Sequence, residues 1–268
     1  MQRTVTRIVF YSLLTLLLVF VLFPLFWMII QSLKRPIEMR AIPPIWVFTP
    51  SFAGYRHTLG QGFMRYFFNS TFIGGASLFL SMFFGLMFAY SIARFRQAKL
   101  GMLVLVSRMI PAMVIALPLF LLFRELGLID TYTGIVATHI TRILPLTTWI
   151  MVGFFEDLPI ELEESAYIDG CSRFWTFLKI SVPLVQPGIM AASILGIVQS
   201  WNNFVFVLIL GGRRTMTLPL AAYRHVGFET VDWQGLYSSA TLIILPLVIA
   251  TIVLQRYLVS GLTVGAVK

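Results

Sequence analysis

Charge is scarce in this chain, and that scarcity is the first constraint on what the protein is. Only 12% of its 268 residues are Asp, Glu, Lys or Arg, against 58% hydrophobic, so a water-soluble globule would lack the polar surface to cover itself. Cysteine is nearly absent: Cys171 alone excludes an intramolecular disulfide, and three scattered histidines without cysteine or carboxylate neighbours give no metal-ligand spacing. Acids are outnumbered 11 to 20 by bases, for a net charge of +9. Those bases are spread through short polar segments, with no basic helix and no aromatic-interleaved patch, so nucleic acid is not the implied partner. What the chain has in abundance is long apolar runs. They make it an integral membrane protein with the lipid bilayer as its surroundings.

Six such runs predict an all-α fold of six transmembrane helices in a single membrane domain over residues 1–268. They lie at about 8–33, 66–93, 100–123, 131–155, 184–212 and 233–255, lengths that suit a hydrocarbon core of about 30 Å. The first run has a rival reading as a cleaved signal peptide, whose apolar region would end at small residues after about 7–15 positions. Val21–Ile30 continues bulky and aromatic, which favours an uncleaved span. Pro24, Pro111, Pro118, Pro145 and Pro246 fall inside runs and are candidate kinks. The lysine and arginine bias does not orient the chain, because nine bases fall on each side and Arg108 and Arg142 lie within runs.

A carrier that works uphill needs a source of power, and two sources are missing. Every acid lies outside the predicted spans, whereas proton- and sodium-coupled carriers usually depend on intramembrane carboxylates. The four lysines follow Leu33, Ala98, Leu178 and Val267, so there is no Gly-Lys step and no phosphate-cradling P-loop. An intramembrane enzyme is opposed by the lack of HExxH, of GxSxG and of a paired intramembrane acid set. Active transport would therefore take its power from a protein docked outside the membrane.

The docking surface is predicted in Glu156–Pro183, an amphipathic stretch between two apolar runs that holds six of the 11 acids. Asp157 is placed to cap a first short helix with Pro159 in its opening turn, and Glu161, Glu163 and Glu164 complement the positive end of its dipole. Gly170 supplies the left-handed residue that ends it. Ser172 caps a second helix of about two turns carrying Phe174, Trp175 and Phe177, expected to stop before Pro183. The same features also suit a solvated interfacial loop, and the residues alone leave both readings open.

Glu164-Ser165-Ala166, three residues, Gly170, nine residues and Ile180-Ser181-Val182-Pro183 resemble the EAA signature of bacterial ABC importer permeases, with Ser165 at the first alanine and Val182 at the leucine. Trp201-Asn202-Asn203-Phe204 is similar to the Trp-Asn-Glu-Phe stretch of the maltose-transporter MalG-like permeases of carbohydrate importers, and Gly261–Lys268 is similar to their Gly-Leu-x-x-Gly-Ala-Val-Lys tail. The resemblance implies the type I ABC importer permease fold, with the EAA loop and both termini on the cytoplasmic side of a bacterial inner membrane. It also implies a heterodimer with a second permease subunit, two cytoplasmic ABC ATPase subunits and an extracytoplasmic solute-binding protein. Glu163, Glu164, Ser165, Ala166, Asp169, Gly170, Ile180 and Pro183 would form the ATPase-coupling site. The chain would then be a non-catalytic subunit without a cofactor of its own, ATP and magnesium binding to the partner ATPases. The solute would be a sugar or oligosaccharide, the alternative being glycerol phosphate or another polar metabolite.

Gln199, Trp201, Asn202 and Asn203 are the candidate substrate path, since amides in mid-span must face other helices or a wet cavity. Amides bond sugar hydroxyls and aromatic faces cover a sugar's apolar side, although interhelical packing is the commoner role for such residues. Arg108 is expected to snorkel or to pair with a neighbouring subunit. His139 and Arg142, nearly one turn apart, are expected to share a polar face and to serve packing.

Overall fold

The computed structural model describes residues 2–227 and 229–263, with side chains over 6–227 and 229–252. Residues 264–268 of the tail motif lie outside it. The described secondary structure is helical apart from one antiparallel bridge between Val226 and Val231. Four helices are each long and apolar enough to span, and two sharply bent helix pairs raise the number of candidate spans to six.

The chain divides into two compact units, Met1–Met64 with Ala221–Pro246, and Arg65–Leu220 with Leu247–Lys268. The first unit holds α1 (Gln2–Ser32), α2 (Pro36–Met39) and α3 (Ala53–Gly60). Its most buried long side chain is that of Lys34, 1% exposed, with its ammonium 5.2 Å from the Trp27 ring and 5.4 Å from Phe48. Cation–π attraction offsets part of the cost of burying that charge. Ser32 bonds the Tyr55 hydroxyl at 2.6 Å, tying α1 to α3. At the other end of the sequence, the imidazole of His225 links Asp232 at 2.9 Å to Ser239 at 3.0 Å.

The second unit is built on α4 (Phe63–Arg94), α5 (Ala98–Ser107), α6 (Ala112–Glu125) and α7 (Tyr132–Glu156). After the loop come α8 (Glu161–Ile168), α9 (Arg173–Thr176), a π-helical turn (Phe177–Ser181), α10 (Val182–Leu184), α11 (Gln186–Trp201) and α12 (Val205–Leu210). Helix α13 (Leu218–Tyr223) leads to the first unit, and α14 (Trp233–Thr263) closes the described chain. Gly196 lets α11 approach its neighbours: a Cβ there would stand 2.7 Å from a Leu78 methyl and 3.1 Å from Ile143. Leucine tails are as apolar as lipid, so close packing of this kind is what holds membrane helices together. One apolar cluster gathers Ile73, Phe123, Ile135 and Phe206; another gathers Met82, Ile92, Met151 and Phe155.

Two predicted spans are not continuous. The third run breaks between α5 and α6 with a bend of 87°. Pro111 has no N–H to offer the preceding turn and pushes Ile110 out of helical conformation. The fifth run ends its main helix at Trp201 and resumes at Val205. Gln199–Asn203 thus flank an unwound corner instead of lying in mid-helix, and the Asn202 amide donates to the Val198 carbonyl at 2.9 Å. Polar side chains that satisfy freed carbonyls are what an interrupted span requires.

The 156–183 stretch forms two short helical pieces around a corner, with two differences from expectation. Asp157 closes α7, and Ile160 occupies the N-cap position of α8. Pro159 disfavours helix at Leu158, which sets the boundary there. The second piece does not stop before Pro183. Its π-helical turn delivers Pro183 into the opening turn of α10, where the missing N–H costs nothing.

Candidate functional site

The corner between α8 and α9 is set by three local features. Asp169 closes α8, and Gly170 adopts φ +85°, the left-handed region that costs a side-chain-bearing residue about 1–2 kcal/mol. A Cβ at Gly170 would meet nothing within 4 Å, so the demand for glycine there is conformational and not steric. The hydroxyl of Ser172 accepts from the Trp175 N–H at 3.5 Å, restarting the helix.

The acids of α8 part company across one residue. Glu164 is exposed, as are Ser165, Asp169 and Pro183, while Ala166 is buried and Ile180 is partly covered. Glu163 is 2% exposed and points into the protein. Its Oε1 lies 2.8 Å from Arg94 Nη2 and also accepts from Arg94 Nε at 2.9 Å and Ser181 Oγ at 2.7 Å. Its Oε2 accepts from the Tyr90 hydroxyl at 2.9 Å. Arg94 also donates to the Leu158 carbonyl at 3.2 Å. A single carboxylate thus fastens α8 to the end of α4 and to the π-helical turn. Glu163 stands inside the joint, and Glu164 alone of the pair faces outward. Sequence reasoning missed Tyr90, Arg94 and Ser181, because the first two are about 70 residues away and no local pattern ties them to the loop.

The outer surface of this corner is apolar and aromatic. Ile168 is 86% exposed, Phe174 and Trp175 are exposed, and the Lys179 ammonium lies 4.5 Å from the Trp175 ring. Beside it, a groove of about 490 Å³ is lined by Arg94, Arg96, Glu156, Asp157 and Pro159–Glu161. Exposed large apolar side chains rimmed by charge mark an interaction surface.

The candidate path residues separate in the same way. Trp201 is buried and packs against Phe67 in a T-shaped pair with ring centres 6.0 Å apart. Asn202 is exposed, and Gln199 and Asn203 are partly so. His139 does not share a face with Arg142: His139 is buried against Ser200 at 2.7 Å, whereas Arg142 reaches the Ile110 carbonyl at 2.9 Å. No group of three or more potential metal ligands gathers among the described residues.

At the opposite end of α7 the carboxylate of Asp130 is held by the 211–217 loop. It accepts from the Arg214 N–H at 3.1 Å, the Thr215 N–H at 2.9 Å and the Thr215 hydroxyl at 2.8 Å. Burial opposes ionisation there, but the hydrogen bonds from Thr215 and Arg214 prevail and hold the carboxyl below its ordinary pKa.

Residues 81–264 match the model of the family described as the binding-protein-dependent transport system inner membrane component. The chain belongs to this family. Its members are non-catalytic membrane subunits of ABC transporters, and the 156–183 stretch described above falls within the matched residues. The chain is 34% identical to the arabinooligosaccharides transport system permease protein AraQ of Bacillus subtilis, over 100% of this chain and 98% of that one. It is 32% identical to the sulfoquinovosyl glycerol transport system permease protein SmoH of Agrobacterium fabrum, over 95% and 91%. A solved bacterial ABC transporter involved in import of the acidic polysaccharide alginate contains a chain of the same fold, with TM-score 0.77 and 21% identity over 95% of this chain and 96% of that one. The fold is therefore that of a type I ABC importer permease.

Proposed function

We propose that the protein passes a sugar or oligosaccharide, delivered by a solute-binding protein, across the inner membrane into the cytoplasm as one of two permease subunits, driven by two ATPase subunits, one of which receives residues 156–183. The observation that carries the reading is the corner itself: an exposed aromatic knob, stopped by Gly170 and locked to α4 through Glu163. A knob that moved independently would absorb a push; one fixed by a buried ion pair passes it to the spans as rigid-body motion. The relatives' named cargoes, arabinooligosaccharides and sulfoquinovosyl glycerol, supply the solute class. The amides of Asn202, exposed, and Asn203, partly so, suit sugar hydroxyls. Both termini and the knob are assigned to the cytoplasm, which places the Asp130 loop outside, towards the binding protein.

The test pairs topology with coupling. With Cys171 replaced by serine, Ser165→Cys should react with an impermeant maleimide only from the cytoplasmic face. Glu164→Ala in the assembled transporter should lose binding-protein-stimulated ATP hydrolysis without losing assembly. Labelling from outside overturns the orientation, and normal stimulation overturns the docking role.

A further inference from the structure

Arg108 and Arg142 are the two bases that sequence places within spans, and the structure brings both to the break between α5 and α6. Arg142 donates to the carbonyl of Ile110, inside the break, at 2.9 Å. Arg108 is the residue that closes α5. Arg108 thus stands two residues before the carbonyl that holds Arg142, and among the described residues neither arginine forms an ion pair. Helix α6 begins at the same break, with no side-chain cap and no acid in its first turn. The N–H groups that start a helix have no intrahelical acceptors and carry its positive dipole end. Two guanidinium groups and the positive start of α6 therefore meet at one discontinuity, where the carbonyl end of α5 offers only a partial negative charge and no carboxylate stands within the predicted spans.

Such a cluster is costly in a membrane unless something balances it. Packing explains one of Arg142's five donors, the one spent on Ile110, and none of Arg108's. Both side chains are partly exposed. Arg142 lies ten residues along α7 from Tyr132, about 15 Å at the helical rise, so the site sits at mid-depth, beyond the level of phospholipid headgroups. Snorkelling does not suit Arg142, whose head is held in the break. Broken helices with uncapped starts are how transporters present fixed positive ends to anionic solutes.

We propose, resting on the importer reading above, that the Arg108–Arg142 break binds an acidic group of the transported sugar, a carboxylate, sulfonate or phosphate ester, so that the solute is an anionic saccharide. The Ile110 carbonyl positions one guanidinium, and the planar forks of both match an oxyanion. The solute brings the missing negative charge and takes it away again on release.

The experiment uses the complete transporter, purified in detergent with its partner permease and ATPases, and two probes that differ by one carboxylate: cellobiouronic acid and cellobiose. Equilibrium dialysis at low ionic strength should show the acid retained roughly tenfold more strongly than the neutral sugar, the scale of a charge-assisted pair. The preference should shrink as salt is raised. Arg108→Gln and Arg142→Gln should each erase most of it, and Arg108→Lys should keep part. Equal retention of both probes by the wild-type complex overturns the proposal. Loss of the partner permease from purified Arg108→Gln also overturns it, in favour of an ion pair between subunits. Binding-protein-stimulated ATP hydrolysis of the wild-type complex is read in parallel. If stimulation is present and the preference absent, only the anion site falls; if stimulation is absent as well, the importer reading falls.

Discussion

The joint at Glu163 and the break at Arg108 both place charge at a helix discontinuity, and they resolve it in opposite ways. At Glu163 the carboxylate is enclosed, and Arg94, Tyr90 and Ser181 together satisfy both of its oxygens. At the break the two arginines have one backbone carbonyl, that of Ile110, which Arg142 takes. A buried charge with all its partners in the same chain is a fastening, since it needs nothing further in order to persist. A charge at mid-depth whose balance must come from elsewhere is a place where something arrives.

That contrast is sharpened by removing charge at each place. The largest effect is expected at the joint: Glu163→Ala leaves Arg94 enclosed without its counter-charge, and breaking a buried pair from one side costs about 3–5 kcal/mol. Amides of α8 should then exchange hydrogen far faster, read by mass spectrometry, while amides in the middle of α7 keep their protection. Arg94→Ala should do the same from the other side. If α8 exchange is unchanged in both, the Glu163–Arg94 pair does not fasten α8. Gly170→Ala comes next, with about 1–2 kcal/mol of left-handed strain. It should lower the amount of solute imported per ATP without altering α8 protection, separating corner shape from fastening. Ser172→Ala removes one cap and should cost about 1 kcal/mol, visible as faster exchange confined to α9.

The smallest effect is in the pH dependence of the Asp130 clasp. Its folded pKa is depressed, so its contribution is fully present above the unfolded carboxylate value of about 3.9 and fades as pH falls through the lower folded value. Amides of Arg214 and Thr215 should therefore keep constant protection, after correction for the intrinsic exchange rate, from pH 8 to 5 and lose it only on stronger acidification. A loss between pH 7 and 5 would contradict that assignment.

Much of the fold is legible in the sequence because uncharged runs such as 8–33 and 66–93 admit few alternatives to a span. Gly170 and Ser172 were legible too, since a left-handed stop and a hydroxyl cap are local demands with local residues to meet them. Proline was harder to interpret. Pro145 and Pro246 sit inside continuous helices, whereas Pro111 marks a break of 87°, and only the packing around each decides which. Glu163 and Glu164 are chemically identical neighbours, and nothing within ten residues distinguishes the buried one from the exposed one. The difference lies in Tyr90 and Arg94, brought there by the second span. The surroundings of Trp201 are set from afar in the same way, its ring packing against Phe67 of the second span.

On the function proposed above, this chain conducts solute but takes its power entirely through the knob at 156–183. The most direct measurement is uphill accumulation, in sealed vesicles, of the solute that co-purifies with the binding protein. Vesicles holding the assembled transporter with internal solute-free buffer and ATP on the knob's side should concentrate it, and vesicles holding this chain alone, or the transporter carrying Glu164→Ala, should not. Accumulation against a gradient by the chain alone would contradict the account.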